Sequence, residues 1–154
     1  MPRSEDAPAP APLPLPLAGE GRGEGTGTRQ RPVEARMTEI VFPDHTNHLG
    51  TLFGGQALAW MDKAAFIAAT RYARTVVVTA RSEQIDFHTA VPKGALVELV
   101  ARVVETGRTS MQVEVEMHKE DLLTGDSQLA TRGRFTMIAL GIDGKPTPVP
   151  PLAR

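Results

Sequence analysis

One segment limits what this chain can fold into more than any other: GGQALAWMDKAAFIAATRYA, from Gly54 to Ala73. Ala, Leu, Met and Gln dominate it, all good helix formers, and from about Gly55 to Tyr72 they predict a helix about 27 Å long. Ala57, Leu58, Trp60, Met61, Ala64, Ala65, Ile67 and Ala68 surround the axis of that helix. No stripe is left for water, so the helix must be covered on more than one side. A curved sheet can supply part of the cover, and a second copy of the chain the rest.

The chain beyond the helix supplies the sheet. TVVVTARS, SEQIDFHTAV, ALVELVARVVET, TSMQVEVEMHKE and SQLATRGRFTMIAL all read as strands. The fourth alternates most strictly, with Met111, Val113, Val115 and Met117 on one face and Gln112, Glu114, Glu116 and His118 on the other. Gly-containing turns in VPKGA, ETGRT and LLTGD separate the strands. Ahead of the helix, TEIVF is a short strand candidate that stops at Pro43, a residue with no ladder donor. One helix and a run of antiparallel strands make an α+β plan in a single domain, which is what 154 residues allow.

Residues 1–36 are of another kind. Pro, Ala, Gly and charge cannot bury enough apolar surface to offset the entropy of ordering, so this stretch is expected to be a disordered tail. Its prolines interrupt any signal-peptide core. Met37 stands where ordinary composition begins and is a candidate start codon, with the globular domain expected over 37–154. A balance of 17 basic against 18 acidic residues argues against nucleic acid as a partner. The absence of cysteine fits a reducing, cytoplasmic compartment, and the four histidines lack metal-ligand spacing, so no metal is expected. No apolar run approaches the ~20 residues needed to cross a bilayer, so no membrane partner is expected.

Within the apolar helix stands a carboxylate, Asp62. Holding it there costs several kcal/mol unless it is paired, hydrogen-bonded or protonated. It can pair with Lys63, Arg71 or a strand arginine, or face a solvent gap; alternatively it has a use. Two turns upstream, Gly54 and Gly55 let other groups approach a helix N-terminus, whose free N–H groups and dipole favour developing negative charge. Asn47, further upstream, offers an amide that donates and accepts. A carboxylate base, a backbone oxyanion site and a positioning amide form a hydrolytic constellation.

The wording of this region, HTNHLGTLFGGQALAWMDKAA, resembles the signature HxNxxGxxFGGxxLxxMD of hotdog-fold acyl-CoA thioesterases of the bacterial cytoplasmic type. The resemblance continues through VVTA, IDFHTAVPKGALVEL, ETGRTSM and GKPTPVP, from about Thr38 to Pro150. It implies one central helix wrapped by a curved antiparallel sheet, a homodimer assembled further into a hexamer, and hydrolysis of acyl-CoA to free fatty acid and CoA. CoA is then part of the substrate and no cofactor is needed. By the resemblance, Asp62 is the general base or nucleophile and Asn47 orients water or thioester across the dimer interface. Gly55 donates its N–H to the thioester carbonyl, Gly54 permits the approach, and Thr79 helps to hold the water. Arg108, Thr109 and Ser110, in GRTS, match the stretch that contacts the CoA phosphates and pantetheine, for which an arginine and two hydroxyls are apt donors. His45 is expected to cap its loop, and His48 stands where many relatives have proline. Two other readings are a non-catalytic CoA-binding module and an acyl-carrier dehydratase, the latter disfavoured because the helix carries no histidine.

Overall fold

The computed structural model describes residues 30–153. Its elements are β1 (Glu34–Ile40), a short 3-10 turn (Pro43–His45), α1 (Gly54–Ala73), β2 (Val76–Phe87), β3 (Leu96–Thr106), β4 (Ser110–Glu120) and β5 (Ser127–Leu140). The strands form one curved antiparallel sheet in the order β1-β3-β4-β5-β2. Three hairpin-like neighbours occupy the middle, and the strands that flank α1 in sequence take the two edges.

The period-two pattern of β4 decides which face is inside. Met111, Val113, Val115 and Met117 are fully buried, as are Val97, Leu99 and Ala101 on β3. Against them lies α1, packed on every strand. Its buried row includes Ala64, Ala65, Ala68 and Ala69, whose small side chains permit close packing on the sheet, and the larger Trp60 and Met61 are buried with them. The outer face is charged: Glu114 and Glu116 of β4 face Arg132 and Arg134 of β5, and Glu34 and Arg36 of β1 meet Arg102 and Glu98 of β3. Among the described residues no helix is long and apolar enough to cross a membrane.

Two expectations need correction. The domain begins before Met37: β1 starts at Glu34, Ala35 is buried, and Arg31 donates from Nη1 to the carbonyls of Tyr72 and Ala73, closing the C-terminal end of α1. Glu34, Ala35 and Arg36 pair with Arg102, Ala101 and Val100. Composition hid this because an alanine facing the core between two outward ion-pairing residues looks like tail. The remainder of the expected tail, 1–29, lies outside the described residues. The second correction joins TVVVTARS and SEQIDFHTAV into the single strand β2, interrupted by register shifts between Thr79 and Arg81 and between Glu83 and Asp86. At the second shift Gln84 adopts φ 54°, so an extra residue is absorbed without ending the strand.

Nor does one chain cover its own helix. Ala59, Lys63 and Phe66 are exposed on the side of α1 away from the sheet, and the edge strand β2 is exposed along most of its length.

Candidate active site

Asp62 lies half-buried on α1, beside β2. Its Oδ1 accepts a hydrogen bond from Thr79 Oγ1 at 2.6 Å. None of the ion pairs among the described residues includes Asp62, so Lys63, Arg71 and the strand arginines do not neutralise it. The carboxylate is held by one hydroxyl and by access to solvent, which relieves the burial cost that the apolar helix suggested. Thr79 sits at the first irregularity of β2, paired with Met137 of β5. Because Met137 is fully buried toward the helix, Thr79 faces the same way. Sequence reasoning placed this hydroxyl on water; in the structure its proton is committed to the carboxylate.

The start of α1 is open. Phe53 is the N-cap residue and makes no side-chain cap, and the first backbone bond into the helix runs from Ala57 N to Phe53 O at 3.0 Å. The N–H groups of Gly54, Gly55 and Gln56 have no partner among the described residues. Three unpartnered donors at the positive end of a helix form a site for an oxyanion. The glycines keep it accessible: a Cβ on Gly55 would press on the Phe53 ring at 3.3 Å, and one on Gly54 would touch the Phe87 ring at 3.7 Å.

Asn47 organises the loop that leads into the helix. Its Oδ1 accepts from the Leu49 and Thr51 N–H groups at 2.9 and 3.2 Å and from Thr51 Oγ1 at 3.2 Å, while its own N–H reaches Thr51 O at 2.8 Å. With the carbonyl end thus occupied, the amide N–H₂ end has no acceptor among the described residues and remains for a ligand or a second chain. No hydrogen bond joins Asn47 to Asp62 within the chain. His45 is structural, as expected: Nδ1 accepts from the Phe42 N–H at 3.1 Å, and the ring stands edge-on to Trp60 with centroids 5.0 Å apart. His48 and His88 are exposed, and His118 pairs with Glu116 on the outer face at 3.1 Å.

Arg108 and Thr109 lie in the turn between β3 and β4, and Ser110 opens β4. The carbonyls of Arg108 and Thr109 are fixed by Val149 N at 2.9 Å and Ala139 N at 3.0 Å. The exposed Arg108 side chain has no ion-pair partner among the described residues. Ser110 pairs with Ile138, which pairs with Val78. The turn therefore lies at the same end of the sheet as Thr79, two strands away, rather than at the opposite end. Two features were missed by the sequence reading. The Thr79 to Asp62 bond had no local signal: alternation from Val77 turns Thr79 inward, but that it stands opposite Asp62 depends on how α1 packs across β2. The exposure of large apolar side chains along β2, with Val76 63% and Phe87 57% exposed, was concealed by strand propensity that reads as core, and that of Phe66 by the apolar helix around it.

A family model described as the thioesterase superfamily matches residues 49–125, from the loop before α1 to the turn after β4. A Bacillus subtilis protein named an uncharacterized acyl-CoA thioester hydrolase is 41% identical over 113 residues, which cover 73% of this chain and 66% of that relative, just under two thirds of its length. The crystal structure of an apo-hexameric acyl-CoA thioesterase superposes with a TM-score of 0.77 at 43% identity, covering 79% of this chain and 78% of that one. An acyl-CoA hydrolase from Staphylococcus aureus, solved in complex with butyryl coenzyme A, coenzyme A and coenzyme A disulfide, gives 0.76 at 35% identity and covers 79% and 74%. That hydrolase has also been solved as single alanine variants of an asparagine, of an aspartate 15 residues later and of a threonine 17 residues after that. The same two intervals, 15 and 17, separate Asn47, Asp62 and Thr79. Agreement in sequence, in fold and in the spacing of these polar side chains has one explanation: the chain belongs to the thioesterase superfamily and groups with its hotdog-fold acyl-CoA thioesterases.

Proposed function

We infer that this chain hydrolyses acyl-CoA: water adds to the thioester carbon, the C–S bond breaks, and a carboxylic acid and CoA thiol leave. The observation that carries this reading is the Asp62 carboxylate, pinned through one oxygen by Thr79, on a helix whose first amides are unpartnered. With Oδ1 occupied, Oδ2 is the oxygen free to take a proton from water or to attack the carbon itself. The Gly55 amide, with Gly54 beside it, receives the oxyanion, where a fixed donor is worth most because charge develops there. Water, a carboxylate and an amide supply the whole chemistry, so no cofactor is proposed. Arg108, Thr109 and Ser110 hold the CoA moiety, with the guanidinium on phosphate.

The working unit is a homodimer, and dimers assemble into a hexamer. The exposed edge of β2 with its exposed Val76, Val78 and Phe87, and the uncovered side of α1 with Phe66, support the pairing. In that dimer the free amide end of Asn47 from one copy serves the Asp62 of the other. The reaction takes place in the cytoplasm, where acyl-CoA is at hand and the cysteine-free chain has no need of an oxidising compartment. A thiol-release assay over acyl-CoA chains from acetyl to palmitoyl tests the activity. Wild-type protein should release CoA, and Asp62→Asn should lower turnover by at least about 10²-fold, the lower range for a lost general base. Binding of acyl-CoA without release at any length would leave a CoA-binding module in its place.

A further inference from the structure

Gly133 lies in the interior of β5, buried and facing the helix, where a strand normally carries a packing side chain. A Cβ there would collide with Cδ1 of Ile85 and press on Cε of Met61 at 3.1 Å. Two side chains therefore occupy the space that Gly133 leaves, one of them from the residue next to Asp62. Ile85 reaches it because of the irregularity in β2: Gln84, at φ 54°, takes up the extra residue and turns its neighbour inward. The inward side of β2 then runs from Thr79, bonded to Asp62, past the small Ser82, which pairs with buried Phe135, to Ile85. This side of the strand is open to solvent up to Ile85, which is half-buried against the core.

We propose that Ile85, seated by Gly133 and Met61, is the end wall of the acyl pocket and sets the chain length this enzyme accepts. The inference rests on the acyl-CoA hydrolase reading and makes it specific. A thioester carbon at Asp62 has two inward-facing directions along β2 from Thr79: toward Val77 the row is closed by a buried side chain, so the acyl chain takes the open strip past Ser82 toward Ile85. On the neighbouring strand that strip extends from Met137, the partner of Thr79, to Gly133, a run of four residues or about 13 Å. An extended medium-length acyl chain fits that distance, whereas a long one meets Ile85.

The test is the ratio of kcat/KM for palmitoyl-CoA to that for butyryl-CoA, read by thiol release in the full chain. Ile85→Ala should raise the ratio by about tenfold or more, the scale of discrimination a hydrophobic pocket gains or loses with a few methylenes. Ile85→Phe should lower it, and so should Gly133→Ala, which drives the Ile85 side chain out into the strip. Ile85→Val, the variant least disturbing to the fold, should shift the ratio the same way as Ile85→Ala by a smaller factor. An unchanged ratio in variants that retain cooperative melting overturns the inference and leaves the hydrolase reading standing. No release from any chain length in the wild type overturns both.

Discussion

Replacing Thr79 by valine removes one hydroxyl and nothing else of size. The hydroxyl donates to Asp62 Oδ1 at 2.6 Å, a hydrogen bond to a charged acceptor. Such bonds contribute about 1.5–3 kcal/mol net, and the lower end applies because Asp62 is half-buried and Thr79 is exposed. If that bond keeps Oδ2 aimed at its target through the transition state, its loss is worth about 1.5 kcal/mol there, or roughly tenfold in rate. The loss should appear in kcat with KM nearly unchanged, since the proton of this hydroxyl is directed at the base and not at the substrate. Thr79→Ser, which restores the donor, should recover most of the activity. Stopped-flow thiol release at saturating and limiting acyl-CoA separates the two parameters, and circular dichroism confirms that the variants melt as the wild type does. A valine variant with full kcat would refute the assignment of Thr79 as the residue that orients Asp62. A raised KM at unchanged kcat would move the hydroxyl to the substrate.

Three further outcomes are expected. A chain starting at Met37 lacks Arg31, which closes the helix end, and three of the seven β1 pairs, so its melting temperature should fall by at least about 5 °C; an unchanged temperature would mean that residues 31–36 contribute nothing. Asn47→Ala and Asp62→Asn chains, each nearly inactive, should recover about a quarter of wild-type activity when co-refolded in equal amounts, because half of the dimers are mixed and each has one intact site; no recovery in mixed dimers verified by mass would place both residues in one chain's site. Burial pushes the Glu116 carboxyl up, but the hydrogen bonds from Arg132 and His118 outweigh it and hold it below its ordinary 4.5, as Arg102 and Arg36 do for Glu34. Both carboxyls are depressed in the folded state, so their stabilisation is complete above about pH 4.5 and is lost as the pH falls further. Melting temperatures measured through this range should therefore drop on the acid side, and Glu116→Gln should flatten part of the drop.

Much of this molecule was legible residue by residue. The helix is governed by local propensity, and it was placed to within one residue at each end: expected from Gly55 to Tyr72, found from Gly54 to Ala73. Strands β3, β4 and β5 were equally clear, because alternation and glycine turns act within a few residues of one another. The candidate site was legible only in part: a carboxylate on an apolar helix and two glycines at its start stand out in the sequence, but the roles given to Asn47, Asp62 and Thr79 came from the resemblance to the thioesterase signature.

What those residues do to one another was not legible. Whether Asp62 would meet an arginine, water or a hydroxyl depended on which inward position of β2 stood opposite it, and that was set by the packing of α1 across a β2 held in place by β5, fifty and more residues along the chain. The start of the domain was misplaced for a related reason: Ala35 is a core residue only because β3 lies beside it. Ile85 likewise owes its position to an absent side chain on Gly133. Sequence by itself determined the helix, the strands β3, β4 and β5 with their inward faces, and the kind of chemistry available, because propensity and amphipathic period are local. Only the tertiary structure decided which polar groups share a hydrogen bond and where apolar space ends, because those depend on contacts between segments whose mutual register no single stretch of sequence encodes.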